Sequence, residues 1–241
     1  MIKKLAFSLF IFCAIFLRGQ TTTIVYELIE KQSETSILIM PELSSFLSLS
    51  SYSLHFNKNN SVMKFDSVKL LSISPNHKGS VLVHNSIIYK DFKKKIWVKS
   101  SSIYEKGKAY KKQFSDFNKK RNYKWRKTGR KKKILNFNCL EVTNNRDTAW
   151  YTKDLKINDG PKNGILGIAG LVLEYEDDLN SWKAVDIYYN TKVDLNLPSD
   201  LETLVDESKI KIPILNFTNL SNSGLIKLKS SSEVNKWYKF E

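Results

Sequence analysis

Apolar residues alternate with polar ones along much of this chain, and that period of two constrains its fold more than any other feature. The alternation is clearest in residues 23–30, 36–40 and 46–56. A strand that buries one face of an antiparallel sheet and exposes the other has this spacing. Residues 57–61, rich in Asn, predict a turn after the third of these segments. Further strands are predicted at residues 79–89, 96–103 and 135–142.

Several short strands joined by turns predict a mainly β protein with a curved antiparallel sheet or open half-barrel and a few short helices. A helix is predicted to begin at Ser199, because Ser199 and Glu202 have capping-box spacing after Pro198. Residues 104–130, rich in Lys and Tyr, fit either a basic helix or a long hairpin. No linker or internal repeat divides the chain, so residues 21–241 are expected to form one domain.

The first 20 residues have the pattern of a secretory signal peptide. Lys3 and Lys4 precede an apolar run over residues 5–17, and Gly19 and Gln20 then lead into polar threonines. Such a run spans only about 20 Å as a helix, short of the roughly 30 Å hydrocarbon core of a bilayer. We therefore expect cleavage near Gly19 or Gln20 and export to the periplasm, outer membrane or extracellular space. No transmembrane helix is expected in the mature chain.

Positive charge is concentrated in residues 90–133, which carry 19 Lys and Arg against three acids, a net +16. Such a basic, aromatic-rich segment would suit a nucleic-acid surface, but predicted export argues against that partner. In a cell envelope the abundant polyanions are lipid head groups, lipopolysaccharide and acidic glycans. Lys131, Lys132 and Lys133 are the candidate binding residues of this segment. The alternative is a solvated hairpin that only aids solubility.

Groups suited to catalysis or metal binding are few. Because Cys13 lies in the predicted signal peptide, Cys139 would be the single cysteine of the mature chain. The three histidines, at positions 55, 77 and 84, have no metal-ligand spacing, and no cofactor motif occurs. Cys139 beside Leu and Phe on an alternating strand favours a small buried hydrophobic residue. A catalytic thiolate is the alternative.

Spaced motifs in residues 54–172 resemble those of the GLPGLI family, secreted or envelope proteins of Gram-negative bacteria. The matching segments are Leu54-x-Phe56-Asn57 with Ser61, Trp125, Phe137-Asn-Cys139, Ala149-Trp150-Tyr151-Thr152, Asp159-Gly160-Pro161 and Gly167-Ile-Ala-Gly170-Leu171-Val172. Ala169 replaces the proline of the name motif. The resemblance implies an exported protein of unknown biochemical activity, and it supplies no catalytic residues.

The glycines of this motif, with Gly164, recur every third residue before an apolar strand, which predicts a loop that feeds a strand. Such a loop serves either close backbone packing or recognition of a ligand. Asn158-Asp159-Gly160 predicts a tight turn that Pro161 rigidifies.

These observations lead to three functional hypotheses. The first is a non-enzymatic envelope or secreted module that binds a partner protein or an apolar or anionic ligand on the concave face of the sheet, with Trp150 and Tyr151 as candidate contacts. The second is an envelope enzyme that uses Cys139 or acids near the loop at residues 159–161. The third is binding of lipopolysaccharide or glycan through residues 90–133. No catalytic residue, metal or cofactor is assigned.

Overall fold

A computed structural model describes residues 21–30, 46–73, 80–82, 86–105, 108–116, 124–161, 167–197, 225–227 and 237–239. Every regular element within these ranges is a β-strand, so the predicted mainly β class is confirmed. The strands are β1 (Thr21–Glu30), β2 (Phe46–Phe56), β3 (Asn60–Ile73), β4 (Ser80–Leu82), β5 (Ser86–Asp91), β6 (Ile96–Glu105), β7 (Lys108–Asp116), β8 (Arg126–Ile134), β9 (Phe137–Asn144), β10 (Asp147–Thr152), β11 (Leu171–Glu176), β12 (Asn180–Thr191), β13 (Leu225–Lys227) and β14 (Trp237–Lys239).

Twelve of these strands form one antiparallel sheet with the order β7-β6-β5-β3-β2-β1-β12-β11-β10-β9-β8, and β14 pairs with β3. β4 and β13 pair separately. The large sheet consists of two meanders, one running from β1 to β7 and the other from β8 to β12. Among the described strands, β1 and β12 make the only pairing between the meanders.

The sheet curls. Laid flat, eleven strands would place its two edges about 48 Å apart at the usual strand spacing. The chain from the end of β7 at Asp116 to the start of β8 at Arg126 reaches at most about 36 Å. Asp159 gives direct proof of curvature, because its backbone bridges to Leu171 in β11 while its carboxylate contacts Ser61 in β3, four places away in the strand order.

The core lies on the inner face of the curled sheet. Strand residues that alternate inward supply most of it, and the loop after β10 adds Ile157 and Ile168, which are both buried. Within this core cluster the fully buried side chains are Ile24, Tyr26, Leu54, Ala149, Leu171, Val172 and Leu173. In this part of the sheet the chain's own loop therefore fills the concavity that could otherwise receive a ligand.

Local predictions have mixed outcomes. The predicted strand from residue 135 is wrong at its start, because Leu135 and Asn136 form the β8–β9 turn with φ of 48° and 67°. The described part of residues 104–130 forms strands, which favours the hairpin over the basic helix. The signal peptide, the strand at 36–40 and the helix at Ser199 lie outside the described residues. The described residues include no helix long and apolar enough to span a bilayer.

Candidate functional site

β8 is the last strand of the sheet on one side, and it is the most basic strand that the structure describes in full. Its sequence is Arg-Lys-Thr-Gly-Arg-Lys-Lys-Lys-Ile, and the first six residues are all exposed. Because no other described strand pairs with its outer side, β8 has side chains that reach solvent on both faces, which removes the usual need for one apolar face. The edge position therefore explains how a strand without apolar alternation can belong to this sheet.

A cleft of about 580 Å³ lies where β8, β9 and the loop after β10 meet. Its walls are Lys131, Lys132, Lys133, Asn138, Cys139, Leu140, Lys153 and Asp154. Four lysines and one carboxylate therefore surround a single concavity. The structure brings together all three lysines that the sequence singled out, and it adds Lys153, which sequence reasoning missed.

One face of β8 is neutralised by acids from neighbouring strands. Arg130 Nε donates to Glu141 Oε2 at 2.5 Å, and Thr128 Oγ1 donates to the same oxygen at 2.6 Å. Glu141 is buried, so this pairing satisfies a carboxylate that would otherwise be costly to desolvate. Lys132 pairs with Glu174 of β11.

Trp150 lies beneath this second ion pair. The Lys132 ammonium stands 4.3 Å from the centre of the Trp150 ring, a cation–π contact. Trp150 is therefore a half-buried support for Lys132, and Tyr151, the other aromatic candidate, is buried in the core.

The opposite face of β8 keeps its charge. Lys131 and Lys133 are exposed and alternate with the paired Arg130 and Lys132, so they project to the other side of the strand. Among the described residues, no carboxylate lies within ion-pair distance of Lys131, Lys133 or Lys153. These three lysines are therefore outside any ion pair among the described residues, and against the one carboxylate of Asp154 they give the cleft an excess of positive charge, which attracts anionic groups and repels cationic ones.

Cys139 lines this cleft, but its side chain is buried and it is a free thiol. Its Sγ donates weakly to the Phe137 carbonyl at 3.6 Å. Burial raises the pKa of the thiol to about 11. At neutral pH the group is therefore protonated and a poor nucleophile.

Asp159 belongs to a buried ionic cluster whose residues do not line the cleft. The Asp159 carboxylate pairs with Lys90 of β5, and both side chains are 1% exposed. Ser61 Oγ donates to Asp159 Oδ2 at 2.5 Å, and the Gly160 N–H donates to Oδ1 at 2.8 Å. The predicted tight turn at residues 158–160 is not formed, because Asp159 instead bridges to Leu171, and this extended segment carries its carboxylate into the core. Sequence reasoning missed Lys90, whose partner is 69 residues away.

The glycines of the name motif matter for the conformation and close packing of the backbone. Gly167 and Gly170 have φ of 91° and 155° in the loop that feeds β11, as the sequence predicts. A Cβ on Gly170 would stand 2.7 Å from Tyr151 Cδ2 and would come closer still to the Thr152 carbonyl oxygen. The position therefore requires glycine for close backbone packing. Gly164 lies outside the described residues.

The described residues of the basic segment 90–133 lie in different parts of the sheet. Lys90 is buried in its ion pair, residues 93–95 occupy the β5–β6 turn, and β8 lies at the opposite end of the strand order from β5, β6 and β7. Anion binding through residues 90–133 stays a prediction, and the exposed part of this segment that the structure describes best is the β8 edge.

His55 is the one histidine within the described ranges. Its Nδ1 hydrogen-bonds Thr23 Oγ1 at 2.8 Å, and burial together with the charge of Lys64 lowers its pKa to about 4. The described residues contain no group of three His, Cys, Asp or Glu side chains placed to hold a metal ion.

Comparison with known proteins adds no assignment. No protein-family model matches the sequence. A search of curated proteins finds no match either. The geometry of the β8 edge and its cleft is therefore the basis for a functional proposal.

Proposed function

We propose that this chain is an exported, non-enzymatic binding protein whose cleft at β8, β9 and the β10–β11 loop takes an anionic ligand of the cell envelope. The observation that carries the proposal is the set of three lysines, Lys131, Lys133 and Lys153, which line one cleft without a carboxylate partner among the described residues. Uncompensated cations beside a concavity raise the local concentration of anions.

The alternative of an apolar ligand on the concave face has less support. Ile157 and Ile168 of the chain's own loop are buried against that face, together with Leu173 and Tyr175 from β11. The buried pair of Lys90 and Asp159 occupies the same side of the sheet. An anionic ligand at the β8 edge, where Lys131 and Lys133 are exposed, requires no rearrangement of this packing.

Export is supported by the signal-like pattern of residues 1–20 and by the resemblance to an envelope family. β1 begins at Thr21 and is a central strand of the sheet, so cleavage near Gly19 or Gln20 would leave the sheet complete. The protein isolated from its native cells should therefore have an N-terminus close to residue 20, as Edman sequencing or intact mass would show. A cytosolic full-length chain would contradict this part of the proposal.

Calorimetric titration with heparin, a soluble polyanion, tests the binding proposal. The variant K131E/K133E reverses two free cations of the cleft, and we expect its affinity to fall by about tenfold or more, which corresponds to about 1.4 kcal/mol. The control K93E/K95E makes the same change in net charge in the exposed β5–β6 turn, outside the cleft. Its affinity should stay within about twofold to threefold of that of the unmodified protein, because salt largely screens charges that lie outside the cleft.

Equal weakening of the two variants would mean that heparin responds to net charge alone, and the proposal would be wrong. Binding that persists unchanged in both variants at high salt would also refute it, because exposed charge pairs are screened there. Thermal unfolding of each variant should be measured alongside, since exposed charge reversals are expected to leave stability within about 0.5 kcal/mol.

A further inference from the structure

The basic surface extends beyond the cleft along the whole of β8. The strand has nine residues and is therefore about 30 Å long. Lys124, Arg126 and Lys127 at its start are exposed and have no carboxylate partner within the part of the chain that the structure describes. Arg126 donates only to the side-chain amide of Asn145, at 3.3 Å.

The free cations Lys127, Lys131 and Lys133 lie opposite Val142, Leu140 and Asn138 of β9, so they share one face of β8 and form a row that ends in the cleft. Arg126, opposite Thr143, lies on the other face. Lys131 and Lys133 are two residues apart on the same face of the strand, a separation of about 7 Å between their Cα atoms. Lys153 lines the same cleft from the loop after β10. The paired cations, Arg130 and Lys132, point to the other face. A ligand that used the row would need anionic groups at several points along a line.

The cleft also lacks the features of a small-anion pocket. Such pockets hold a single phosphate or carboxylate with convergent, buried hydrogen-bond donors. Here Lys131, Lys133, Asn138 and Lys153 are all exposed. Exposed, mutually repelling lysines on flexible stems gain most from a ligand that spreads its charge along the row.

We infer that the ligand is a linear acidic polysaccharide that lies along the free face of β8, with the cleft as one end of its track. This inference rests on the proposed function and names its ligand class. From Arg126 to Lys133 the strand has no apolar side chain, whereas proteins that bind lipid surfaces insert apolar or aromatic residues. The exposed aromatics Tyr188 and Tyr189 belong to β12, four places away in the strand order.

An acidic peptide added as a further strand fits less well. Strand addition needs an uninterrupted row of backbone hydrogen-bonding groups along the edge. β8 has a register shift between Lys127 and Lys131, and Gly129 within it has φ of 83°. Such a bulge breaks the row and twists the edge, whereas a polysaccharide needs only the charges.

Fluorescence titration with oligogalacturonates of increasing length tests the inference on the mature protein. Affinity should rise with length until the oligomer spans β8, with a long oligomer binding at least about tenfold more tightly than the disaccharide. The salt dependence should weaken in K131A/K133A, where the slope of log affinity against log salt falls by up to about 2, one for each contact removed. K93A/K95A should keep the slope.

Four outcomes would overturn the inference. Inorganic phosphate or the disaccharide binding as tightly as the long oligomer would indicate a small-anion site. Preference for vesicles of phosphatidylglycerol over the oligomers would indicate a lipid surface, and preference for a poly-glutamate peptide would indicate strand addition. In these three cases the proposed anion site stands and only its ligand class fails. If none of the probes binds, and heparin does not bind either, the proposed function itself is wrong.

Discussion

Replacing Lys90 by Met should destabilise the protein far more than removing any exposed charge. Lys90 and Asp159 are each 1% exposed in their side chains, so Lys90→Met leaves a carboxylate buried without its cation. The loss of one partner of a buried ion pair costs about 3–5 kcal/mol. Urea unfolding followed by tryptophan fluorescence measures this difference as a shift in midpoint at constant slope.

The double variant K90M/D159N separates the charge from the packing. The amide introduced at position 159 would keep an oxygen to accept from the Gly160 N–H, and its NH2 group would donate to Ser61 Oγ, so that no buried charge would remain. We expect the double variant to be about 2–3 kcal/mol more stable than K90M alone, a coupling typical of residues in contact. Additive losses from K90M and D159N would contradict the argument.

Lys132→Met is the matched control, because it removes the lysine of a pair that reaches solvent. Lys132 and Glu174 are 35% and 22% exposed, so we expect a loss of about 1 kcal/mol or less. A Lys90→Met cost no larger than this would refute the reasoning. If K90M does not fold, S61A still tests the cluster, since the loss of a hydrogen bond to a charged acceptor should cost about 2 kcal/mol. An S61A variant with unchanged stability would then refute the reasoning.

Three further predictions concern the rest of the fold. His55 has a folded pKa of about 4 against an ordinary value near 6.5, so the unfolded chain binds more protons between these values. Stability should therefore fall as pH drops through this window, by about 1–2 kcal/mol because solvent screens the partly exposed ring, and H55Q should remove that part of the pH dependence of urea unfolding. Gly170→Ala should lower the free energy of unfolding by more than about 2 kcal/mol, because its Cβ would meet the Thr152 carbonyl. Gly129→Ala, at a φ of 83° with nothing within 4 Å of the added Cβ, should lower it by only about 1 kcal/mol. Equal losses of stability in thermal unfolding would contradict the packing argument. Cys139 should react with a thiol reagent at neutral pH only after the protein unfolds. Rapid labelling of the native protein would show that the thiol is accessible and would contradict this prediction.

Strand formation was predictable because it is local. The alternation in β1 and β2 is visible in the sequence, since each strand needs one apolar face whichever strands it pairs with. The positive φ at Gly167 and Gly170 likewise belongs to residues whose special backbone freedom is evident from their identity.

Part of the candidate site was also predictable. Lys131, Lys132 and Lys133 stand out by charge alone, and they do line the cleft. That Lys132 is neutralised by Glu174, 42 residues away, depends on β8, β9, β10 and β11 lying side by side. Lys153 joins the site for the same reason.

By itself the sequence therefore determined the mainly β class, the positions of several strands, the glycine loop and the concentration of positive charge. Only the tertiary structure decided that the basic segment divides between the two ends of the sheet, and that Lys90 and Asp159 meet in the core while Lys131 and Lys133 stay free. The physical reason is that side-chain alternation specifies which face of a strand is buried but not which strand lies next to it. That choice comes from non-local pairing and from the curl that closes the core.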